Sequence, residues 1–235
     1  MRYRGAAKKV RNGPAIGCIR RTWQSRHDNV WPVSMGFHVF ALSSLRMSEP
    51  LTLLMQRHST PSRQLGEPAP DKDQLKALLK AAIRVPDHGK LVPFRLIKLK
   101  GKSKLRFGEL VADIAKRNEP HLSESKLNKE RHRYTFAPLV LVLLACIDQH
   151  SKVPALEQQL TAGCVAQNIL LGAFELGIGA QWLTGWAAYD PDVAKLLHLK
   201  SNEQVIAFIH MGTPQMDVPD RDRPALKGLL STWKP

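Results

Sequence analysis

Apolar and polar positions along the chain follow two different periods, one helical and one strand-like. Between Asp71 and Arg84 the apolar residues recur every three or four positions, which predicts a helix. From Phe94 to Lys100 apolar and basic residues alternate instead, as is typical of a half-buried strand. Pro86 ends the helix because its ring removes a backbone donor, and Pro93 sets the start of the strand. A short polar loop between the two prolines is therefore predicted.

The same pattern predicts further elements after Met47, and they mix helices with strands. The predicted helices are Pro50 to Gln56, Asp71 to Arg84, Ser103 to Arg117, Glu124 to Arg133, Pro154 to Gly177 and Pro191 to Leu197. The predicted strands are Phe94 to Lys100, Pro138 to Cys146, Gln181 to Thr184 and Gln204 to Met211. No Gly-x-Gly-x-x-Gly follows a strand, so a Rossmann fold is not indicated. We expect an α+β fold in which a mixed central β-sheet is flanked by helices.

The helix from Pro154 to Gly177 is the longest, and it carries a broad apolar stripe. The stripe comprises Leu156, Leu160, Gly163, Cys164, Gln167, Leu170, Leu171 and Phe174. One small sheet would not easily cover a stripe of this width. The small residues Ala162, Gly163 and Gly172 would also let a second chain approach closely. We therefore expect a homodimer formed through this helix.

The net charge of +15 is unevenly distributed along the chain. Residues 1–46 hold nine Lys and Arg against the single acid Asp28, a local charge of +8, and they show little periodicity. The segment could be a nucleic-acid-binding arm, a targeting peptide, or an extension that is not native, since Met47-Ser48-Glu49-Pro50 resembles a true start. Each interpretation predicts disorder in the isolated chain. The domain of interest is then residues 47–235.

The apolar runs and the cysteines of the sequence indicate a protein without a membrane span in a reducing compartment. The longest apolar run, Ala137 to Ile147, is too short to span a bilayer. Three cysteines, Cys18, Cys146 and Cys164, have no metal or redox spacing. We expect a cytoplasmic protein without a membrane partner.

Four stretches carry candidate chemistry, and their order is informative. They are Leu53 to Arg63 with Arg57-His58-Ser59, the Pro86 to Arg95 loop with His88, Leu176 to Gly185 with its glycine-rich helix end, and Val205 to Pro214 with its Gly-Thr-Pro turn. A guanidinium with a hydroxyl suits a phosphate. Taken together, these stretches resemble the FMN-dependent NAD(P)H nitroreductase family, and especially its short bacterial members, from about Met47 to Val218.

The resemblance implies a fold, a cofactor and a set of binding residues. It implies a nitroreductase-like, domain-swapped type of homodimer that binds FMN between its subunits and uses NADH or NADPH as reductant. The FMN-binding residues would be Arg57, His58, Ser59, Arg84, His88, Trp182, Leu183 and Thr184. The segment implied to bind NAD(P)H is Gly172, Ala173, Phe174, Glu175, Leu176 and Gly177. No catalytic side chain and no metal ligand are implied, because the chemistry belongs to the flavin.

One departure from the family pattern lies in the His88 loop. Many relatives carry Asn and Gln there, whereas this chain has Gly89-Lys90-Leu91-Val92, so fewer side chains can bond the flavin ring. Three functions stay open from the sequence. The first is an oxidoreductase passing electrons to a nitro compound, quinone or similar small acceptor. The second is a flavin-binding relative with other chemistry. The third is a basic protein that binds nucleic acid through residues 1–46. We do not expect a nucleic-acid partner. The sequence does not name the acceptor or choose between the two nucleotides.

Overall fold

The computed structural model of the chain describes residues 49–235. The basic segment 1–46 lies outside these residues, so the structure does not bear on its three interpretations. The helices are α1 (Glu49–Gln56), α2 (Lys72–Ala82), α3 (Lys102–Asn118), α4 (Glu124–His132), α5 (Ala155–Glu175) and α6 (Pro191–Leu196). The strands are β1 (Leu65–Gly66), β2 (Phe94–Lys100), β3 (Leu139–Cys146), β4 (Gly179–Leu183) and β5 (Glu203–Pro214). Every predicted element is present, with its ends shifted by a few residues at most. The pattern misses the two-residue β1.

The strands form one sheet in the order β1-β5-β3-β2, with β4 also paired to β5. All pairings among the described strands are antiparallel, so the α+β class is confirmed but the predicted mixed sheet is wrong for this part of the chain. A single helix between two neighbouring strands usually makes them parallel. Here the two helices α3 and α4 connect β2 to β3. They return the chain to the same end of the sheet, so that Leu139 at the start of β3 pairs with Lys100 at the end of β2. The neighbouring strands therefore run in opposite directions.

Helices cover both faces of the sheet. Leu141 of β3 and Ile209 of β5 pack with α2 and α5 on one face. Val142 and Phe208, the neighbouring residues on the same strands, pack with α3 and α6 on the other. These four side chains are at most 1% exposed. The unbroken apolar run of β3 thus predicts a strand buried on both faces, as observed.

Helix α5 has two apolar faces, and most of the predicted stripe lies on the face that does not meet the sheet. The sheet side carries the fully buried Val165, Ala166 and Ile169, whereas Leu156 is 64% exposed and Leu160 59% exposed. Gly172 allows α5 to pack closely against α2 of the same chain, because a Cβ there would lie 2.5 Å from Leu78 Cδ1. Since the helix is apolar nearly all round, its period does not reveal which side meets the sheet. The outer face remains uncovered within one described subunit.

The structure also bears on the membrane question. From residue 49 onward, no helix is both long enough and apolar enough to cross a bilayer.

Candidate functional site

The Arg57-His58-Ser59 turn directly follows α1. The Arg57 N–H still donates to Leu53 O at 3.0 Å, so the turn begins on the last helical hydrogen bond. Arg57 Nη1 lies 3.5 Å from Ser59 Oγ, and His58 Nδ1 lies 3.0 Å from Gln56 O. All three side chains of the turn are half-buried. The guanidinium and the hydroxyl therefore lie side by side, as the sequence predicts for an anion site.

The chain after this turn runs along β4. Thr60 N–H donates to Ala180 O at 3.1 Å, and Ser62 N–H donates to Gln181 Oε1 at 2.6 Å. The second bond joins residues 119 positions apart in sequence. Because β5 occupies the other edge of β4, residues 60–62 cover an edge that would otherwise be free. The structure thus brings the Arg57 turn close to the predicted strand segment at Trp182.

Charge at the Arg57 turn is strongly positive. Burial lowers the pKa of Arg57, and the nearby Arg223 lowers that pKa further, while Asp220 partly offsets the effect. Arg223 Nη2 donates to Arg57 O at 3.1 Å and forms an ion pair with Asp220. In the described part of the chain, no carboxylate forms a salt bridge with Arg57. Arg223 is exposed and already paired with Asp220, so the half-buried Arg57 guanidinium is the group at this turn that can attract a further anion.

Arg223 is a candidate binding residue that the sequence reasoning missed. It lies in the tail after β5, where Arg221-Asp222-Arg223-Pro224 shows only as a mixed charge run. Nothing in such a run indicates that it folds back to the end of α1. The contact with Arg57 O depends on tertiary structure, which local patterns do not show.

The predicted NAD(P)H segment lies at the end of α5, and its residues differ in how deeply they are buried. Gly172 and Ala173 face the core, whereas Glu175, Leu176 and Gly177 are exposed. Phe174 lies between these groups and meets His58 edge-on, with ring centroids 5.4 Å apart. A cavity of about 120 Å³ lies beside this contact, lined also by Ala180 and Pro214. Ligand pockets usually measure about 300 Å³ or more, so this cavity does not enclose a flavin.

The predicted flavin-bordering residues end β4. Trp182 is 36% exposed, and its Nε1–H donates to Ile206 O at 3.1 Å. Leu183 and Thr184 are half-buried, and Gly185 follows with a φ of 91°, a left-handed conformation that favours glycine. A Cβ at Gly185 would lie 3.8 Å from Arg133 Nη1. The strand end therefore points toward the region after α4.

Arg84 and His88 lie along the middle and the start of α5. Asn168 Nδ2 donates to Arg84 O at 3.2 Å, and Thr161 Oγ1 donates to Pro86 O at 3.0 Å. His88 Nδ1 lies 2.8 Å from Glu157 Oε2, close to the first turn of α5. The loop is thus attached to α5 at three successive levels.

The His88 loop has an unusual backbone. Gly89, Lys90 and Val92 have φ values of 72°, 54° and 49°, and such a conformation is a strained one for a β-branched valine. The Asp87 carboxylate accepts hydrogen bonds from the N–H groups of Leu91 at 3.1 Å and Val92 at 2.8 Å. These bonds hold the loop in place, and they also occupy two donors that could otherwise face a ligand.

The structure separates the predicted FMN residues into two groups along α5. His58 contacts Phe174, and His88 contacts Glu157, which lies 17 residues earlier in the same helix. At a rise of 1.5 Å per residue, the two contacts are about 25 Å apart along the helix axis. One subunit therefore does not gather all the predicted residues at one place. Over residues 49–235, no group of His, Cys, Asp or Glu is arranged to hold a metal ion.

Comparison with known proteins shows which family this chain resembles. Residues 54–213 match the Nitroreductase family. The chain is 30% identical over 168 residues to YdjA of Escherichia coli K12, which bears the name of an NAD(P)H nitroreductase, and the match covers 71% of this chain and 88% of that protein. A protein from Haemophilus influenzae with the same type of name is 34% identical over 164 residues, covering 69% of this chain and 87% of the relative.

Solved structures show the same fold. A nitroreductase-like family protein from Bacillus cereus superposes with a TM-score of 0.66 at 20% identity, covering 80% of this chain and 97% of that one. A protein from Desulfovibrio desulfuricans, described as a nitroreductase in complex with FMN, gives a TM-score of 0.63 at 20% identity and covers 80% and 99%. The family match spans more than half of the sequence, and the relatives are covered over most of their length. The chain therefore belongs to the nitroreductase family.

Proposed function

We propose that this chain is an FMN-dependent oxidoreductase that takes a hydride from NADH or NADPH and passes two electrons to a small acceptor such as a nitro compound or a quinone. FMN, when bound, supplies the electron-transfer chemistry. The observation that carries the proposal is the half-buried guanidinium of Arg57, which contacts Ser59 and forms no salt bridge with a carboxylate among residues 49–235. Family membership and the FMN complex of the Desulfovibrio relative support the same assignment.

The anion site fits a phosphate. A phosphate monoester carries close to two negative charges and offers three acceptor oxygens. Arg57 supplies a positive charge, Arg223 adds a guanidinium that it shares with Asp220, and Ser59 supplies a hydroxyl donor at the same turn. The cost of placing two guanidinium groups together falls once an anion lies between them. These residues would hold the phosphate end of FMN.

Fewer groups are available for the flavin ring. Gly89, Lys90, Leu91 and Val92 carry no side-chain amide, and the N–H groups of Leu91 and Val92 are bonded to Asp87. The backbone and side chains at the end of β4, including Leu183 and Thr184, would border the ring. We therefore infer that the phosphate end contributes a larger share of FMN affinity here than in relatives with Asn and Gln in this loop.

We further propose that the active species is a homodimer in which each FMN lies between subunits. The Arg57 and His88 groups lie about 25 Å apart along α5 in one subunit. A two-fold axis perpendicular to α5 would pair the two copies of the helix in opposite directions, and it would bring the Arg57 end of one α5 to the His88 end of the other. The exposed outer face of α5, with Leu156 and Leu160, supplies an apolar surface for this pairing.

Absorbance of the purified protein tests the function most directly. We expect a flavin spectrum with about one FMN per chain, and bleaching of the flavin band on anaerobic addition of NADH or NADPH. Recovery of the band when a nitroaromatic or a quinone is then added would show transfer to an acceptor. A colourless protein that cannot be loaded with FMN would overturn the proposal.

Dilution tests the shared site. We expect light scattering to show a dimer and FMN release to follow dimer dissociation, since FMN bound only by the dimer stabilises it by mass action. Leu160→Glu should weaken the dimer and FMN retention together. Glu109→Gln on the exposed surface of α3 serves as a control that changes neither. A monomer holding stoichiometric FMN would contradict the shared site.

A further inference from the structure

A basic groove of about 510 Å³ lies beside the candidate site, and none of the functions above assigns it. It is lined by Arg63, Ser125, Lys126, Asn128, Lys129, His132 and Phe136. Four of these seven side chains are basic or can become so, and none is acidic. Ser125, Asn128, Lys129 and His132 are spaced three, four and seven positions apart, so they form one face of α4.

The cations of this groove are not neutralised within the protein. Arg131 is paired with Glu124, and Arg133 forms a two-bond pair with Glu130. By contrast, no salt bridge in the described residues involves Arg63, Lys126 or Lys129. Glu124 and Glu130, the acids of α4, therefore pair with arginines that do not line the groove. Lys126 and Lys129 also line a neighbouring cavity that contains Glu119, Glu130 and Asp190, but in the described residues they form no salt bridge with these acids.

One wall of the groove is formed by the guanidinium of Arg63 over the ring of Phe136. The guanidinium carbon of Arg63 lies 5.1 Å from the centroid of the Phe136 ring. Arg63 is exposed, and Phe136 is half-buried. Guanidinium planes and aromatic rings are the groups on which nucleic-acid bases stack. The groove thus combines a stacking surface with unpaired cations.

Two connections place the groove at the border of the candidate flavin site. Arg63 follows Ser62, whose N–H is bonded to Gln181 of β4. At the other end, His132 precedes Arg133, whose guanidinium lies against Gly185 just after Thr184. The groove therefore lies between the anion-binding turn and the end of β4, which is where a nucleotide reaching the flavin would extend.

We propose that this groove binds the adenosine 2′-phosphate end of NADPH, so that the enzyme prefers NADPH to NADH. This inference rests on the proposed function. The purine would stack on Arg63 and Phe136, and the 2′-phosphate would bond to Lys129 with help from Lys126. NADH has a hydroxyl in place of that phosphate and would leave the lysines unpaired.

Substitution of one lysine tests the groove in the FMN-loaded protein. Lys129→Gln should raise KM for NADPH by roughly ten-fold, the lower end of the range for a charge-assisted hydrogen bond, and leave KM for NADH nearly unchanged. The matched control is Lys76→Gln on α2, an exposed lysine on the opposite face of the sheet, which should change neither. An equal effect of Lys129→Gln on both nucleotides, or no effect, would overturn the proposal.

Direct binding gives a measurement that does not depend on turnover. By calorimetry, adenosine 2′,5′-bisphosphate should bind the FMN-loaded protein more tightly than adenosine 5′-monophosphate, and Lys129→Gln should remove most of that difference. If Lys129→Gln raises KM only for a negatively charged acceptor, the groove serves the acceptor and the nucleotide assignment is wrong. Absence of bound flavin would instead refute the proposed function, so the two failures are distinguishable.

Discussion

Two arginines in this molecule have opposite surroundings. Arg95 on β2 donates two hydrogen bonds of 2.7 Å to the Glu203 carboxylate on β5, and this partner raises its pKa. Arg57 has no such carboxylate partner, and burial together with Arg223 lowers its pKa. The first arginine is satisfied by the protein itself. The second has no carboxylate partner in the described residues, so the surroundings of an arginine distinguish a structural ion pair from a proposed binding group more clearly than residue type does.

The Arg95 pair also organises its surroundings. Glu203 is held at one end by Arg95 and accepts a hydrogen bond from the Lys200 N–H at 2.9 Å, and its side chain is only 3% exposed. Arg95 lowers the pKa of Glu203 to about 2. Nothing comparable surrounds the Arg57 guanidinium, whose hydrogen bond to Ser59 is long at 3.5 Å. Four predictions test how far the contrast extends.

The largest effect on stability is expected from Glu203→Ala. It would leave Arg95 without its partner and remove an acceptor from the Lys200 N–H, so the free energy of unfolding should fall by about 3 kcal/mol. Urea denaturation measures this. Glu109→Ala, which breaks the exposed pair with Arg106, should cost less than about 1 kcal/mol. Equal losses in both variants would show that the Arg95 pair is no stronger than a surface pair.

Acid should weaken the fold in two steps. His210 is fully buried next to Tyr134, Arg133 and Lys104, and burial lowers its pKa to about 4. The unfolded chain binds the His210 proton first, so stability should fall by up to about 3 kcal/mol as pH drops from about 6.5 to 4. Glu203, with its lowered pKa, should add a further loss below about 4.5.

Two variants separate these steps. His210→Phe should flatten the curve of unfolding free energy between pH 6.5 and 4, and Glu203→Gln should flatten it only below about 4.5. A curve that keeps its full slope above pH 4.5 in His210→Phe would assign the first step to other groups.

Arg57→Ala should act on the ligand and not on the fold. Loss of one charged hydrogen bond costs about 1.5–3 kcal/mol, so FMN affinity should fall roughly ten- to a hundred-fold. Stability of the FMN-free protein should change little, because Arg57 has no carboxylate partner to lose. Fluorescence titration with FMN and urea denaturation measure the two quantities, with Arg106→Ala as the control. Equal FMN affinity in variant and parent would remove Arg57 from the site.

The smallest effect is expected from a chain that begins at Met47. Residues 1–46 show no periodic apolar face, and the family match starts at residue 54. FMN content and unfolding midpoint should both equal those of the full chain. Aggregation or loss of flavin in the shorter chain would show that the basic segment is structural.

The sequence predicts the elements of this fold well because their signals are local. The β2 alternation and the proline that ends α2 each act within a few residues of the feature they define. The faces of α5 and the direction of the strands are different, since both depend on how helices pack against the sheet. The short β1 is missed for the same reason, because two residues pair with Pro214 and Thr213 without any pattern of their own.

The candidate site shows the same limit. Arg57 and Ser59 are only two positions apart in sequence, so their proposed shared role can be predicted from the pattern. Arg223 joins them only through the path of the tail. Whether Arg63 and Lys129 have carboxylate partners also depends on tertiary structure, because Glu124 and Glu130 pair with Arg131 and Arg133 instead. The 25 Å between the His58 and His88 contacts becomes apparent only when both are placed on α5. Long-range contacts decided each of these points.

The strained loop at Asp87 has a consequence for preorganisation. Its backbone conformation is fixed by two hydrogen bonds inside the same loop and by contacts to α5. The conformational entropy of this segment is therefore lost during folding and not at the moment of binding. A ligand that uses His88 meets a rigid surface and needs no closing motion there. Val92→Gly should make the loop more flexible. The variant would then lose conformational entropy when a ligand orders the loop, and this loss would weaken binding.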